Sequence, residues 1–88
     1  MKKVSDFLGS GIPLTQRDLS AVMGYLMRSV RELIRTERLA GVPILSDNKQ
    51  GYYMSEDREA VRRFCDSMDR RAREISAVAD AIRRANLG

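Results

Sequence analysis

The sequence predicts a mainly helical α+β protein with one β-hairpin and a long helix at its C-terminal end. Three observations carry this. Residues 15–41 read as two amphipathic helices, joined at Gly24 and closed at Gly41. Residues 41–55, GVPILSDNKQGYYMS, set two short apolar runs, 42–45 and 52–54, around a polar tip at 47–51. That is a hairpin signal. Residues 56–87 contain neither proline nor glycine, so nothing interrupts a helix there.

The elements follow in order. Val4, Phe7 and Leu8 stand at helical spacing before Gly9, which predicts a short helix over 3–9. GSGIP then reads as a loop. In LTQRDLSAVMG, residues 14–24, Thr15 is placed as an N-cap with Asp18 three residues on, close to a capping box. Leu19, Val22 and Met23 form its apolar stripe, and Gly24 is the C-terminal stop. The next helix, within 25–41, has an apolar face of Val30, Leu33 and Ile34. Arg28, Arg31, Arg35 and Arg38 follow at spacings of 3, 4 and 3, which predicts one basic stripe opposite that face. Glu32 and Glu37 are expected to be local partners for these arginines, and near Glu37 and Leu39 the periodicity loses phase. In the hairpin, Val42, Ile44, Tyr52 and Met54 are expected inward, with Tyr53 outward and Lys49 at the tip.

Ser55 is expected to cap the last helix, with Glu56, Asp57 and Glu59 complementing its dipole. Val61, Phe64, Met68, Arg71, Ile75, Val78, Ile82 and Ala85 alternate spacings of 3 and 4, a heptad seam interrupted only by Arg71. The flanks are mostly small residues, and charges on the far face form i,i+4 pairs such as Arg62–Asp66, Asp69–Arg73 and Arg70–Glu74. A rod of about 45 Å is longer than the preceding 55 residues can cover. The expected organisation is therefore a domain at 1–55 and a helix at 56–88, whose first turns pack on the domain through Val61 and Phe64. The remainder seeks a second copy through Met68, Arg71, Ile75, Val78, Ile82 and Ala85. A helix folding back on its own chain is the competing arrangement. Cys65, beside the seam, reads as a small buried residue.

Composition narrows the function. The chain has 88 residues, 43% hydrophobic and 32% charged, which fits one folded domain. Net charge is +4, of which residues 1–54 supply +3 (8 basic, 5 acidic) and residues 55–88 supply +1 (8 basic, 7 acidic). A small basic domain suits nucleic acid. The single cysteine excludes an intrachain disulfide and suits a reducing cytosol. No apolar run approaches a membrane span, and the basic start is not followed by the apolar stretch of a signal peptide. With no histidine, no paired cysteines and no phosphate loop, no enzyme chemistry, metal or cofactor is expected.

Residues 15–41 resemble the helix–turn–helix of bacterial DNA-binding proteins. Leu19, Met23, Tyr25, Val30 and Leu33 occupy its apolar positions, Ser20 the small crossing position and Gly24 the turn. With the hairpin directly after it, residues 3–55 resemble a winged helix. GVPI…GY is similar to the wing of the biotin-operon repressor's DNA-binding domain, and GVPILS…GYY followed by a helix is closer still to small phage-type winged-helix proteins. The resemblance implies sequence-specific binding of double-stranded DNA by a regulator or replication accessory. It makes 26–40 the recognition helix, with Met27, Arg28, Ser29, Arg31 and Arg35 toward DNA and Gln16, Arg17 and Lys49 on the backbone. One departure stands out. The helix opens with Tyr25-Leu26-Met27 where DNA-reading helices usually open with a capping Ser, Thr or Asp. Leu26 and Met27 are expected to be exposed, touching a thymine methyl or sugar, or else a protein. The alternative function is accordingly a protein-interaction adaptor or inhibitor, using Leu26, Met27 or the last helix on the same scaffold.

Overall fold

A computed structural model describes residues 2–9 and 11–88. Ser10, part of the expected GSGIP loop, lies outside the described residues. The chain is 63% helical with one two-stranded antiparallel sheet, an α+β fold. In order come a 3-10 helix at Val4–Phe7, α1 at Gln16–Met23, α2 at Met27–Leu39, β1 at Ile44–Asp47, β2 at Gly51–Met54 and α3 at Arg58–Asn86. Two compact units result, Met1–Asp57 and Arg58–Gly88.

In the first unit, α1 begins as its sequence dictates. The Asp18 backbone N–H donates to Thr15 Oγ1 at 3.1 Å, and the Thr15 backbone N–H donates to Asp18 Oδ2 at 3.0 Å, a reciprocal capping box. The helix ends at Gly24, left-handed at φ 73°. The Gly24 and Tyr25 amides both donate to the Ser20 carbonyl, and the Ser20 hydroxyl donates to the Tyr25 carbonyl. Ser20 is thus small for a second reason besides the helix crossing: its polar groups tie the turn.

Val22 is a correction. It is exposed, while Leu19 and Met23 are buried. At about 100° per residue, the covered arc of α1 runs through Leu19, Met23, Gln16 and Ser20. Val22 falls about 60° beyond Leu19, the edge of that arc. The covered arc is set by what packs against α1 and not by the apolar residues alone.

α2 closes in a Schellman arrangement. The Val42 amide donates to the Glu37 carbonyl and the Gly41 amide to the Arg38 carbonyl, with Gly41 at φ 94°. Val4, Leu8, Leu19, Met23, Val30, Ile34 and Ile44 form the core, with Phe7, Leu14, Tyr25, Leu33, Val42, Tyr52 and Met54 packed around it.

The strands pair Ile44 with Met54, Leu45 with Tyr53, Ser46 with Tyr52 and Asp47 with Gly51. Ile44, Tyr52 and Met54 face the helices as expected. The other face is not simply solvent: Leu45 is buried and Tyr53 is half-buried, which corrects the outward placement of Tyr53. An isolated bridge onto the sheet was not anticipated. Leu14 bridges Tyr52, its amide donating to the Tyr52 carbonyl at 2.9 Å and its carbonyl accepting from the Tyr52 amide at 2.7 Å. Gly51 makes this approach possible. A Cβ there would stand 2.5 Å from the Leu14 oxygen, and φ is +106°.

α3, 29 residues and about 44 Å long, begins at Arg58. Ser55 is not its cap. The Ser55 hydroxyl accepts from the Asp57 amide in a local turn, so Glu56 and Asp57 precede the helix and Glu59 alone is acidic in its first turn. Arg62 pairs with Glu59 and Arg83 with Asp80, both i,i+3, in place of the expected i,i+4 partner Asp66 for Arg62. Cys65 is exposed, correcting its buried assignment. On a helix with no buried residue, small size carries no information about burial. No helix of the described residues is long and apolar enough to cross a membrane.

Candidate functional site

α2 presents three sides, and its residues sort among them by angle. Val30, Ile34 and Glu37 point inward. Arg28, Arg31 and Arg35 are exposed, and no ion pair among the described residues engages them. Tyr25, Ser29, Glu32, Leu33 and Thr36 line a shallow groove on the remaining side. Ser29, expected beside the arginines, therefore sits about 100° or more around the helix from them.

Arg38 leaves the stripe. Its Nε donates to the Ile44 carbonyl at 2.7 Å, Nη2 reaches Ser46 Oγ at 3.5 Å, and the guanidinium stands 5.6 Å from the centre of the Tyr52 ring. The cause is its level along the axis. Arg38 lies only about 20° around the helix from Arg31 but two turns further on, where the hairpin is within reach of its guanidinium. Burial lowers the Arg38 pKa from its ordinary value, opposed by the charge interaction with Tyr52; the group remains a cation at neutral pH.

Glu37 is also not a partner of the stripe. It is buried, and its carboxylate accepts from the backbone amides of Val4 at 2.7 Å and Ser5 at 3.1 Å. These are orphan donors at the start of the 3-10 helix. The loss of phase near Glu37 is the trace of this contact: a charged residue on the buried face, satisfied from 32 and 33 positions away. Lys2 ties the same segment to α1, donating from Nζ to the Met23 carbonyl at 3.0 Å above the Tyr25 ring.

At the start of α2, Leu26 occupies the N-cap with no side-chain cap bond and is 72% exposed, and Met27 is 44% exposed. Gln16, half-buried, donates from Nε2 to the Met27 carbonyl at 3.0 Å, joining the first turns of α1 and α2. Arg17 is exposed on α1. At the hairpin tip, Asp47 Oδ1 accepts from the amides of Lys49 at 2.6 Å and Gln50 at 3.3 Å, an Asx turn that leaves the Lys49 side chain in solvent.

The expected site thus divides. Arg17, Met27, Arg28, Arg31, Arg35 and Lys49 are exposed; Gln16 is bonded within the fold; Ser29 turns to the groove. In α3, Met68, Arg71, Ile75, Val78, Ile82 and Ala85 are all exposed. No protein-family model, curated protein or solved structure matches the chain.

Proposed function

We propose that residues 1–57 form a winged helix–turn–helix that binds double-stranded DNA, with α2 as the recognition helix and the 44–54 hairpin as the wing, in a protein that works as a homodimer through α3. One observation carries the reading. Three arginines at helical spacing, Arg28, Arg31 and Arg35, project from α2 with no protein partner among the described residues, while the fourth is used by the fold. A guanidinium can grip phosphate or pair with both acceptors of guanine, and the outward side of a helix fits the major groove. Arg17 and Lys49 add exposed positive charge on α1 and at the tip. The Leu14–Tyr52 bridge supports the same reading, because it fixes the hairpin to the segment leading into α1. The role we propose for that binding is in transcription regulation or as a replication accessory.

The test is titration of fluorescent duplex DNA, random and genomic, at two salt concentrations. Affinity should fall steeply with salt, because phosphate contacts release counterions. The Arg28/Arg31/Arg35→Ala triple variant should stay folded and lose binding. Native protein without affinity at low salt would overturn the proposal. A second reading has its own observation, the exposed Leu26 and Met27 at the start of α2. In an adaptor these would seat on a protein, and binding would respond little to salt.

A further inference from the structure

α3 carries an apolar seam that nothing in its own unit covers. Ile75, Val78 and Ile82 are 65%, 60% and 59% exposed, and Met68 is 43% exposed. Val61 and Phe64, earlier on the seam, are half-buried. The uncovered part therefore runs from Met68 to Ala85.

We infer that this seam pairs with the same seam of a second copy in antiparallel orientation, the two-fold axis passing between Ile75 and Val78. The inference rests on the homodimer proposed above and is independent of DNA binding. The seam reads differently in its two possible orientations. In a parallel, in-register pair each residue meets its own copy. Arg71 then faces Arg71 of the second copy, two cations on an apolar seam, and Met68 faces Met68 while Ala85 faces Ala85. In the antiparallel pair Met68 meets Ala85, Arg71 meets Ile82 and Ile75 meets Val78. Large stands opposite small, and the two Arg71 side chains lie 11 residues, about 16 Å, apart along the axis. Each Arg71 lays its stem over an isoleucine and keeps its guanidinium in water.

The flanks agree. Parallel coiled coils fix their orientation through charges at the positions bordering the seam. Here those positions are Ser67, Ala72, Ala79 and Ala81, with Glu74 the one charge among them. No ladder of ion pairs is available to hold a parallel pair. Small borders instead let two backbones approach closely.

The single native cysteine provides the experiment, since Cys65 is exposed. Spin labels on Cys65 of the full chain should be separated by more than about 30 Å in the dimer, because residue 65 of one copy lies 23 residues along the axis from residue 65 of the other. Labels on Ser76→Cys in a Cys65→Ser background sit beside the axis and should be separated by no more than about 20 Å. A Cys65 separation within the cross-pair range of about 20 Å, as a parallel pair requires, would overturn the orientation while leaving the homodimer standing. Sedimentation at 10.0 kDa at all concentrations would overturn both. Mixing gives an independent readout. Native chains and Arg71→Glu chains should combine statistically, one part each homodimer to two parts heterodimer. A parallel pair would instead select the heterodimer, where the introduced carboxylate would face Arg71 of the native chain.

Discussion

Replacing Arg38 with alanine separates the fold from the DNA-binding surface. The variant loses the Nε bond to the Ile44 carbonyl and the contact with the Tyr52 ring. A hydrogen bond from a charged donor contributes about 1.5–3 kcal/mol, and the side chain is only half-buried, so the lower end applies. The ring contact adds about 0.5–1 kcal/mol. Together they make roughly 2–2.5 kcal/mol, against a net stability of about 3–5 kcal/mol for a domain this small. Arg38→Ala should therefore lower the thermal midpoint by about 8–20 °C. Arg38→Lys keeps a cation over Tyr52 but not the Nε donor, and should fall between. Arg28→Ala, Arg31→Ala and Arg35→Ala, each on an exposed side chain, should stay within about 0.5 kcal/mol of the native chain. Urea unfolding followed by circular dichroism measures all five. An Arg38→Ala chain as stable as the native one, or an Arg28→Ala chain as unstable as Arg38→Ala, would refute the division of the stripe.

Gly51→Ala drives a Cβ into the Leu14 carbonyl at φ +106° and should cost about 2–3 kcal/mol or more, read by the same unfolding assay. Gly41→Ala, at φ +94° with open space around it, should cost only the backbone strain, about 1–2 kcal/mol. Glu37→Ala leaves the Val4 and Ser5 amides without their acceptor and should cost about 2–4 kcal/mol, with faster hydrogen exchange at both amides; Glu37→Gln keeps one oxygen and should cost less. Asp18 is held below its ordinary pKa of 3.8 chiefly by the Thr15 backbone N–H, then by the Thr15 side chain. Its contribution to stability is therefore complete above 3.8 and is lost as pH falls through the lower, folded value, so Asp18→Asn should flatten the stability profile below pH 4.

What was legible in the sequence was local. The Thr15–Asp18 box, the stops at Gly24 and Gly41 and the turn at 47–51 each depend on residues within a few positions, and each formed where the pattern placed it. The exposure of Arg28, Arg31, Arg35 and Lys49 was legible for the same reason, since helix angle and turn position decide it. What escaped was long-range. The Leu14–Tyr52 bridge is a single isolated pair and has no periodicity to detect. Glu37 and Arg38 carry charges that read as surface, yet each finds its partners across the fold. The sign of Glu37 was visible only as a charged residue in an apolar phase.

These long-range contacts divide α2 along its length. Its last turn holds the molecule together: Glu37 fixes the N-terminal 3-10 helix and Arg38 fixes the hairpin. The outward side of the preceding turns carries the arginines and no structural contact of that kind. The hairpin is then fastened at two separate points, to α2 by Arg38 and to the segment before α1 by the Leu14–Tyr52 bridge that Gly51 permits. Under the proposed function this makes affinity and stability separable at the tip. Lys49→Ala removes an exposed charge beyond the Asp47 turn, so it should lower the salt dependence of DNA binding by about one ion while leaving unfolding unchanged. Gly51→Ala, two residues away, should move both. A Lys49→Ala chain with the native salt slope would place the tip away from the phosphates and leave recognition to α2 alone.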